Sequence, residues 1–498
     1  MTESAMYLMG AYSALLFLLS IFALQRLLLA VSAWRWMRNL PPAKLLENPD
    51  QRVLVQVPLY NEPEVAERVI KAVCELDYPR DLLSIQILDD SNDETVGIVA
   101  RAVARFQARG INVEQVQRPT REGFKAGALA YGMTLDDAPL IAIFDADFIP
   151  QASFLRHLVG DFKNEKVGAV QARWGHLNRD DSILTRAQGF LLDGHFLNEH
   201  AGRFARGCFF NFNGTAGIWR RACIEDAGGW SGRTITEDLD LSYRAQLKSW
   251  RLVFRPNVVV PAELPDHGQA FKVQQHRWAK GSIETARLLL GPIWKTPGLR
   301  FLERLEASFH LLGNFAYPLV IVLGLLMPWV MVVRFSSEPG VMHLVDSLLF
   351  LSSTGLFIVT YWGAGRRAGL SLGSMLWVPS ALAMGVGLAF NNTRALIEAL
   401  SGHRTAFIRT PKQGAATQMS LGRLSSVSFG QSVLEIIFGL YLLTGLWPAI
   451  EYGRYLALPL IALFGGGFLI LGLGSLYTGL RPVTVRLESD KLEGARLS

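Results

Sequence analysis

Two carboxylates separated by a single residue follow an apolar run in the first third of the chain. Asp145 and Asp147 come directly after residues 140–144. Two carboxylates at the end of a strand can supply oxygen ligands to a hard cation such as Mg2+ or Mn2+, while substrate phosphates complete the coordination. A D-x-D sequence by itself is more often a helix cap or a loop acid pair. The metal-site interpretation therefore depends on the residues that accompany it.

A second acidic group precedes a predicted helix further along the chain. Thr236, Glu237 and Asp238 stand in a polar stretch, and residues 239–247 then show helical spacing. Thr236 is placed to cap this helix, and a carboxylate beside it can point into a crevice, which makes Asp238 the candidate general base. The alternative role for Asp238 is electrostatic support of the helix N-terminus, and this motif alone favours neither role.

A third group combines an amide, a fixed cation and a large aromatic face. Gln274, Arg277 and Trp278 lie within five residues of one another. An Arg suits a diphosphate, and an indole face suits a stacked sugar ring. The alternative is a Trp and an Arg at a membrane interface, since apolar segments follow soon after.

The elements expected to position these groups alternate between strands and helices. Short runs rich in apolar residues predict strands at residues 52–57, 84–88 and 140–144, and a further strand is predicted at 113–116. Helical spacing predicts helices at residues 65–75 and 95–107. Such alternation predicts a parallel, doubly wound sheet, in which ligands bind at the carboxyl ends of the strands. Asp89 and Asp90, at the end of the second strand, should therefore line the same crevice as Asp145 and Asp147.

The composition indicates that part of the chain lies in a membrane. Charged residues make up 18% of the 498 residues, against roughly 25% in an average soluble domain. Residues 4–25 carry no charge and are long enough to cross a bilayer. Further apolar stretches lie at residues 307–333, 347–365, 368–393, 433–450 and 455–480. We therefore expect a transmembrane helix within residues 1–34, a polar domain at 45–305, transmembrane helices at 306–480 and a tail at 481–498.

The distribution of positive charge predicts the orientation in the membrane. Arg35, Arg38 and Lys44 follow the first apolar segment, which places the polar domain in the cytoplasm of a multi-pass inner or plasma membrane protein. A cleavable signal peptide is the alternative, but the first four residues lack a positive charge. The basic segment 394–423 and the tail should also be cytoplasmic. If the polar domain and the segment 394–423 are both cytoplasmic, the chain must cross the membrane an even number of times between residues 306 and 394. Three apolar stretches lie in that interval, so part of residues 371–400 should be interfacial or re-entrant.

Several classes of function lose their usual support. The net charge of +6 is dispersed, without consecutive runs of Lys and Arg, which argues against nucleic-acid binding. The sequence has no GxGxxG fingerprint, P-loop or H-E-x-x-H helix. Cys74, Cys208 and Cys223 show no metal-binding spacing and are expected to be reduced, buried thiols.

The order of the motifs is more specific than any one of them. Asp89-Asp90, Asp145-x-Asp147, Thr236-Glu237-Asp238 and Gln274-x-x-Arg277-Trp278, followed by apolar segments, resemble the D, DxD, TED, QxxRW signature of family 2 membrane glycosyltransferases with the α/β GT-A fold. The stretches at residues 88–91, 212–217 and 274–278 look most similar to cellulose-synthase-like proteins that make mannan and glucomannan, and to their bacterial relatives.

This resemblance implies an inverting transfer of a hexose from a UDP- or GDP-sugar to a hydroxyl group, with Asp238 as the base and Asp145 and Asp147 as ligands of Mg2+ or Mn2+. The residues it implies for the nucleotide are Pro58, Tyr60, Glu62, Asp89, Asp90, Lys125, Asp145 and Arg277. Those it implies for the acceptor are Trp278, Gln274, Glu237, Asn213, Gly214 and Thr215. Phe407, Thr410 and Lys412 are similar to the gating loop of cellulose synthases, although Arg409 stands where that family usually has Val.

Three functions remain open from the sequence. The first is a processive synthase whose polysaccharide product leaves through its own membrane helices. The second is an enzyme that adds one sugar to a membrane lipid, as ceramide glucosyltransferases of similar layout do. The third is a non-catalytic transport or scaffold protein, which the intact acidic motifs disfavour. The sequence indicates a nucleotide sugar, a polysaccharide or lipid acceptor and membrane lipid as partners, and names no protein partner.

Overall fold

A seven-stranded sheet forms the centre of residues 53–262 in the computed structural model, which describes residues 3–336, 341–403 and 421–480. The strands are β1 (Val53–Leu59), β2 (Leu83–Asp89), β3 (Val113–Val116), β4 (Leu140–Ile143), β5 (Val167–His176), β6 (Gly217–Arg220) and β7 (Arg251–Ala262). Their order across the sheet is β3-β2-β1-β4-β6-β5-β7. The four strands predicted from the sequence are present, close to their predicted bounds.

The prediction of an all-parallel sheet is wrong for one strand. β1, β2, β3 and β4 are parallel to one another, whereas β6 runs antiparallel to both β4 and β5. In this reversed strand Gly217 pairs with Ile143, so the loop before β6 reaches the sheet edge where Asp145 follows β4. The reversal therefore adds a loop to the edge at which the parallel strands end.

Helices cover both faces of the sheet. Those of the N-terminal 300 residues are α1 (Glu3–Met37), α2 (Pro63–Cys74), α3 (Thr95–Gln107), α4 (Phe124–Met133), α5 (Phe154–Leu158), α6 (Ile183–Gly194), α7 (Ala201–Ala205), α8 (Arg221–Asp226), α9 (Glu237–Leu247) and α10 (Gly268–Lys295). Helix α2 illustrates why they form: Pro63 stands in its first turn, and Val65, Val69 and Val73 recur on one face, which is buried against the sheet. All three cysteines are free and buried, as predicted.

The C-terminal part is helical and strongly apolar. Its helices are α11 (Phe301–Leu312), α12 (Ala316–Phe335), α13 (Val341–Phe350), α14 (Leu356–Arg367), α15 (Val378–Gly387), α16 (Ala389–Leu400), α17 (Leu421–Leu443), α18 (Leu446–Glu451) and α19 (Leu458–Leu480). Within the described residues, five helical segments are long and apolar enough to cross a membrane: Glu3–Met37, Phe301–Phe335, Ser347–Arg367, Phe429–Glu451 and Leu458–Tyr477.

One further apolar segment is bent. Gly373–Gly387 and Ala389–Leu400 meet at an angle of 41°, the geometry of a broken span or a re-entrant loop, and would make a sixth crossing if they form one span. This bend lies in the segment that we expected to be interfacial or re-entrant, and that assignment stays a prediction. The predicted gating residues Phe407, Thr410 and Lys412, and the tail at 481–498, lie outside the described residues.

Candidate active site

A cleft of about 190 Å3 opens at the carboxyl ends of β1, β2 and β4. It collects side chains from every sequence motif singled out above that lies within the described residues. The predicted site residues that line it are Pro58, Tyr60, Glu62, Asp90, Lys125, Asp145, Asp147, Asn213, Gly214, Glu237, Asp238, Gln274, Arg277 and Trp278. Residues up to 220 positions apart in the chain therefore meet in one cleft.

Two predicted site residues, Asp89 and Thr215, lie behind this lining. Asp89 is buried, and its carboxylate accepts hydrogen bonds from Gln115 Nε2 at 2.7 Å and from the Ser91 N–H at 3.0 Å. The Thr215 hydroxyl accepts the N–H of Asp145 at 2.8 Å. Both residues hold the walls of the cleft, and of the two neighbouring acids it is Asp90 that reaches the cleft.

Two arginines that the sequence analysis did not single out stand at the β1 and β2 end of the cleft. Arg118 holds the Asp90 carboxylate with two hydrogen bonds, of 2.7 and 2.6 Å. The guanidinium carbon of Arg121 lies 3.2 Å from the centre of the Tyr60 ring. Both arginines follow β3, so the strand-end argument applied to Asp89 and Asp145 could also have found them.

Lys125 lies at the centre of the acidic groups. Its Nζ donates to Asp145 Oδ1 at 2.5 Å and to the Gly214 carbonyl at 2.9 Å, and lies 4.0 Å from Glu237 Oε1. The turn that presents it is tight, because a Cβ at Gly127 would come within 2.0 Å of the Glu122 carbonyl oxygen. The D-x-D motif contains no Lys or Arg, but the fold brings the ammonium group of Lys125 to Asp145.

The residues of the cleft fit a divalent cation. Asp145 and Asp147 present hard oxygen ligands on the same wall. The lining contains seven carboxylates against three side chains that are always cationic, Arg121, Lys125 and Arg277. Within the described residues no group of three His, Cys, Asp or Glu side chains encloses a metal position. Two carboxylates leave coordination positions for phosphate oxygens and water, which is how Mg2+ is commonly bound beside nucleotides.

Asp238 lies in the first turn of α9, with its two carboxylate oxygens in different environments. Oδ1 accepts the N–H of Leu239 at 2.8 Å, so it supports the helix N-terminus. Oδ2 faces Gly214, where an added Cβ would lie 3.0 Å from it. Burial and the nearby negative charge of Glu237 raise the pKa of Asp238 to about 7, against the opposing effect of Lys125 and Arg277. A carboxylate with such a pKa suits proton transfer near neutral pH.

Thr236 occupies the predicted cap position, but the predicted capping bond is absent. Its side chain makes no hydrogen bond to the start of α9, and Oγ1 is buried without a polar partner among the described residues. The reason is the close packing of α10: a Cβ at Gly281 would lie only 2.3 Å from Thr236 Oγ1. This contact brings α10, which carries Arg277 and Trp278, against the turn that carries Asp238.

The far end of the cleft is aromatic. The Trp278 ring lies 6.3 Å from the ring of Trp174, and His176 also lines this end. Sequence analysis missed Trp174 and His176 because it did not identify β5, which ends with them. Indole faces beside polar groups are suited to sugar rings.

Comparison with known proteins was informative over most of the chain. Residues 49–281 match the family described as glycosyltransferase like family 2. The chain is 31% identical over 450 residues to glucomannan 4-beta-mannosyltransferase 1 of Oryza sativa subsp. japonica, an alignment that covers 85% of this chain and 82% of the relative. It is 33% identical over 448 residues to glucomannan 4-beta-mannosyltransferase 9 of Arabidopsis thaliana, covering 84% and 80%.

Two further matches are more limited. A 262-residue alignment to probable glucomannan 4-beta-mannosyltransferase 10 of Arabidopsis thaliana reaches 42% identity but covers 52% of this chain and about half, 48%, of that relative. Among solved structures, the mannosyltransferase PcManGT from Pyrobaculum calidifontis, in complex with GDP-Man and Mn2+, superposes with a TM-score of 0.56 at 20% identity, covering 79% of this chain and 100% of that one. At this identity the likeness concerns the fold.

Proposed function

The chain belongs to the family 2 glycosyltransferases, and from this we propose that it transfers mannose from GDP-mannose to the end of a β-linked mannan or glucomannan chain. The comparisons confirm the predicted family, the GT-A fold and the assignment as a hexosyltransferase. The choice of mannose and of a polysaccharide rests on one observation: the alignments to two relatives named glucomannan 4-beta-mannosyltransferases run over four fifths of their length.

The proposed reaction is the inverting transfer that the family resemblance implies, with roles assigned to the charged groups of the cleft. An acceptor hydroxyl attacks the anomeric carbon from the side opposite the diphosphate, the new C–O bond forms as the bond to the diphosphate breaks, and Asp238 takes the hydroxyl proton through Oδ2. Arg277 and Lys125 stabilise the charge that accumulates on the leaving GDP. A divalent cation on Asp145 and Asp147 would neutralise the same charge.

The two ends of the cleft are proposed to bind different substrates. Tyr60, Arg121 and Asp90 would hold the nucleoside, since an aromatic ring, a guanidinium plane and a carboxylate are at hand there. Trp278 and Gln274 would hold the acceptor at the aromatic end. A neighbour of the same fold was solved with GDP-Man and Mn2+, so the fold accommodates a donor of this kind.

The location of the domain is also a proposal. We propose that residues 45–305 form a cytosolic catalytic domain between an N-terminal membrane helix and the helices of 306–480, and that residues 394–423 and 481–498 also lie on the cytosolic side. Arg35, Arg38 and Lys44, which follow the first apolar segment, support this orientation. The five apolar helices of the described residues support a location in the membrane. We propose that the product is exported through these helices as it grows.

Product length tests the proposed function. Wild-type protein in membranes, given radiolabelled GDP-mannose, should produce a polymer of many sugars. Trp278→Ala should lower turnover and shorten the product, since a platform for the terminal sugar is lost. Trp294→Ala is a matched control, because this indole is on the same helix and does not line the cleft. Chromatography of the product, with and without lipid extraction, measures both effects.

The same experiment distinguishes the alternative. If all of the label appears as a single sugar on an organic-soluble lipid, the polysaccharide proposal fails and a glycolipid product replaces it. If a panel of UDP-sugars supports turnover while GDP-mannose does not, the donor assignment is wrong.

The pH dependence should report the environment of Asp238. The base acts only when ionised, and its pKa is raised to about 7, so kcat/KM should rise with pH through about 7 and then level off. Glu237→Gln removes the negative charge that raises this pKa, and should move the rise towards lower pH. The measurement is kcat/KM from about pH 5 to about pH 9 for both proteins. An unchanged profile in Glu237→Gln would contradict the assignment of the rise to Asp238.

A further inference from the structure

A π-helical turn interrupts the helical segment that connects β5 to β6. Helix α6 continues beyond Gly194 as a π-helix, His195–His200, and then as α7. π-helical turns are rare in proteins, and those that occur are often found at functional sites. Helix α1 packs against this turn from the other side. The first residue of the turn, His195, faces the cleft loop that precedes β6.

His195 contacts a residue of the cleft wall. Its Nε2 lies 3.0 Å from Asn213 Oδ1, and the same oxygen accepts a hydrogen bond from Asn211 Nδ2 at 3.1 Å. The backbone N–H of Asn213 donates to Gln171 Oε1 at 2.8 Å, so the main chain is held as well. An amide oxygen only accepts, so Nε2 of His195 carries the hydrogen in this pair.

The arrangement leaves one donor of the cleft wall unused. With Oδ1 committed to His195 and Asn211, the Nδ2 group of Asn213 is buried and makes no hydrogen bond to any of the described residues. Asn213 lines the cleft next to Gly214, which faces Asp238 Oδ2 and whose carbonyl accepts from Lys125. An orphaned buried donor in a cleft wall is explained if a ligand supplies the acceptor.

We propose that His195 is a positioning residue that holds the Asn213 amide so that Nδ2 donates to an oxygen of the acceptor sugar next to the hydroxyl that attacks. This inference rests on the proposed function, because it assigns the donor to a sugar acceptor beside Asp238. His195 itself touches no substrate. Its contribution is the direction of the Asn213 amide, which would otherwise rotate to satisfy its own donor within the protein.

Substitutions of His195 separate positioning from packing. His195→Phe keeps an aromatic ring and removes the donor, whereas His195→Gln keeps an N–H at a similar reach. His200→Phe is the matched control: it lies in the same turn, is fully buried and stacks edge-on with Phe210 and Phe254, and its ring nitrogens have no polar partner among the described residues. The full-length protein is used in lipid nanodiscs, with β-1,4-linked mannooligosaccharide as the acceptor probe and GDP-mannose as the donor.

The expected result is a change in the KM for the acceptor, with no change in nucleotide binding. His195→Phe and Asn213→Ala should each raise the acceptor KM by about three- to tenfold, the loss expected for one hydrogen bond, with the Kd for GDP unchanged. His195→Gln should recover most of the loss, and His200→Phe should match wild type. The double variant His195→Phe/Asn213→Ala should be no worse than either single variant, since both act through one interaction.

Several outcomes would overturn the inference while leaving the proposed function intact. These are an active His195→Phe protein with wild-type acceptor KM, an equal loss in His200→Phe, a loss in His195→Gln as large as in His195→Phe, or multiplicative losses in the double variant. A wild-type protein that binds GDP but transfers mannose to no acceptor would instead overturn the proposed function, and this inference with it.

Discussion

Replacing Asp238 by Asn should reduce sugar transfer by about a hundredfold to ten-thousandfold, the usual range for removal of a general base. The amide keeps the shape of the side chain, and its oxygen can still accept the Leu239 N–H that Asp238 Oδ1 accepts at 2.8 Å. Only the capacity to take a proton is lost. The Kd for GDP should therefore stay close to that of wild type, while kcat falls.

Asp93→Asn is the matched control for this substitution. Asp93 also accepts a backbone N–H at the start of a helix, that of Thr95 at 2.9 Å, and it does not line the cleft. It should retain wild-type turnover. An Asp238→Asn protein with more than about a tenth of wild-type kcat would contradict the base assignment, given the usual size of such effects.

Removal of divalent cations should have the second large effect. Seven carboxylates line the cleft against three fixed cations, and the leaving diphosphate brings further negative charge. EDTA should therefore lower turnover by at least about a hundredfold, since a metal ion supplies several kcal/mol of charge stabilisation. Added Mn2+ or Mg2+ should restore it, and EDTA loaded with the metal beforehand is the control. Asp147→Asn should raise the metal concentration needed for half-maximal activity.

Lys125 would explain activity that survives removal of the metal. Its ammonium group is paired with Asp145 and places a positive charge at that position without a metal. If full activity survives exhaustive chelation and is then lost in Lys125→Met, the lysine has the role we assign to the cation. If chelation abolishes turnover in wild type, Lys125 complements the cation and does not replace it.

The predicted elements were recovered where the signal is local. Helix α3 was predicted at residues 95–107 and observed at Thr95–Gln107, since helical spacing of apolar side chains is a property of the segment itself. Strands β1, β2 and β4 were found because they are short segments rich in apolar residues. β5 was missed because Gln171, Arg173 and His176 interrupt its apolar residues, so composition does not mark it as a buried strand.

The site was predictable in its residue types and not in its contacts. Carboxylates after strands β2 and β4 indicated an acidic crevice, because parallel strands end at one edge. Which of Asp89 and Asp90 faces that crevice depends on the packing of Gln115 against Asp89 and of Arg118 against Asp90. The loss of the Thr236 cap depends on the approach of Gly281, which lies on α10, 45 positions further along the chain.

The sequence by itself determined the chemistry available to this protein: paired acids, a base, an arginine and a tryptophan ahead of apolar helices, which together indicate its family. The tertiary structure decided how those groups are used. It paired Lys125 with Asp145 and turned the Asn213 amide oxygen towards His195. The reversed pairing of Gly217 with Ile143 brought the loop that carries Asn213 to the edge where Asp145 lies. The motifs can be read from single segments of the sequence. These contacts depend on strand direction and on the close approach of helices, which no single segment encodes.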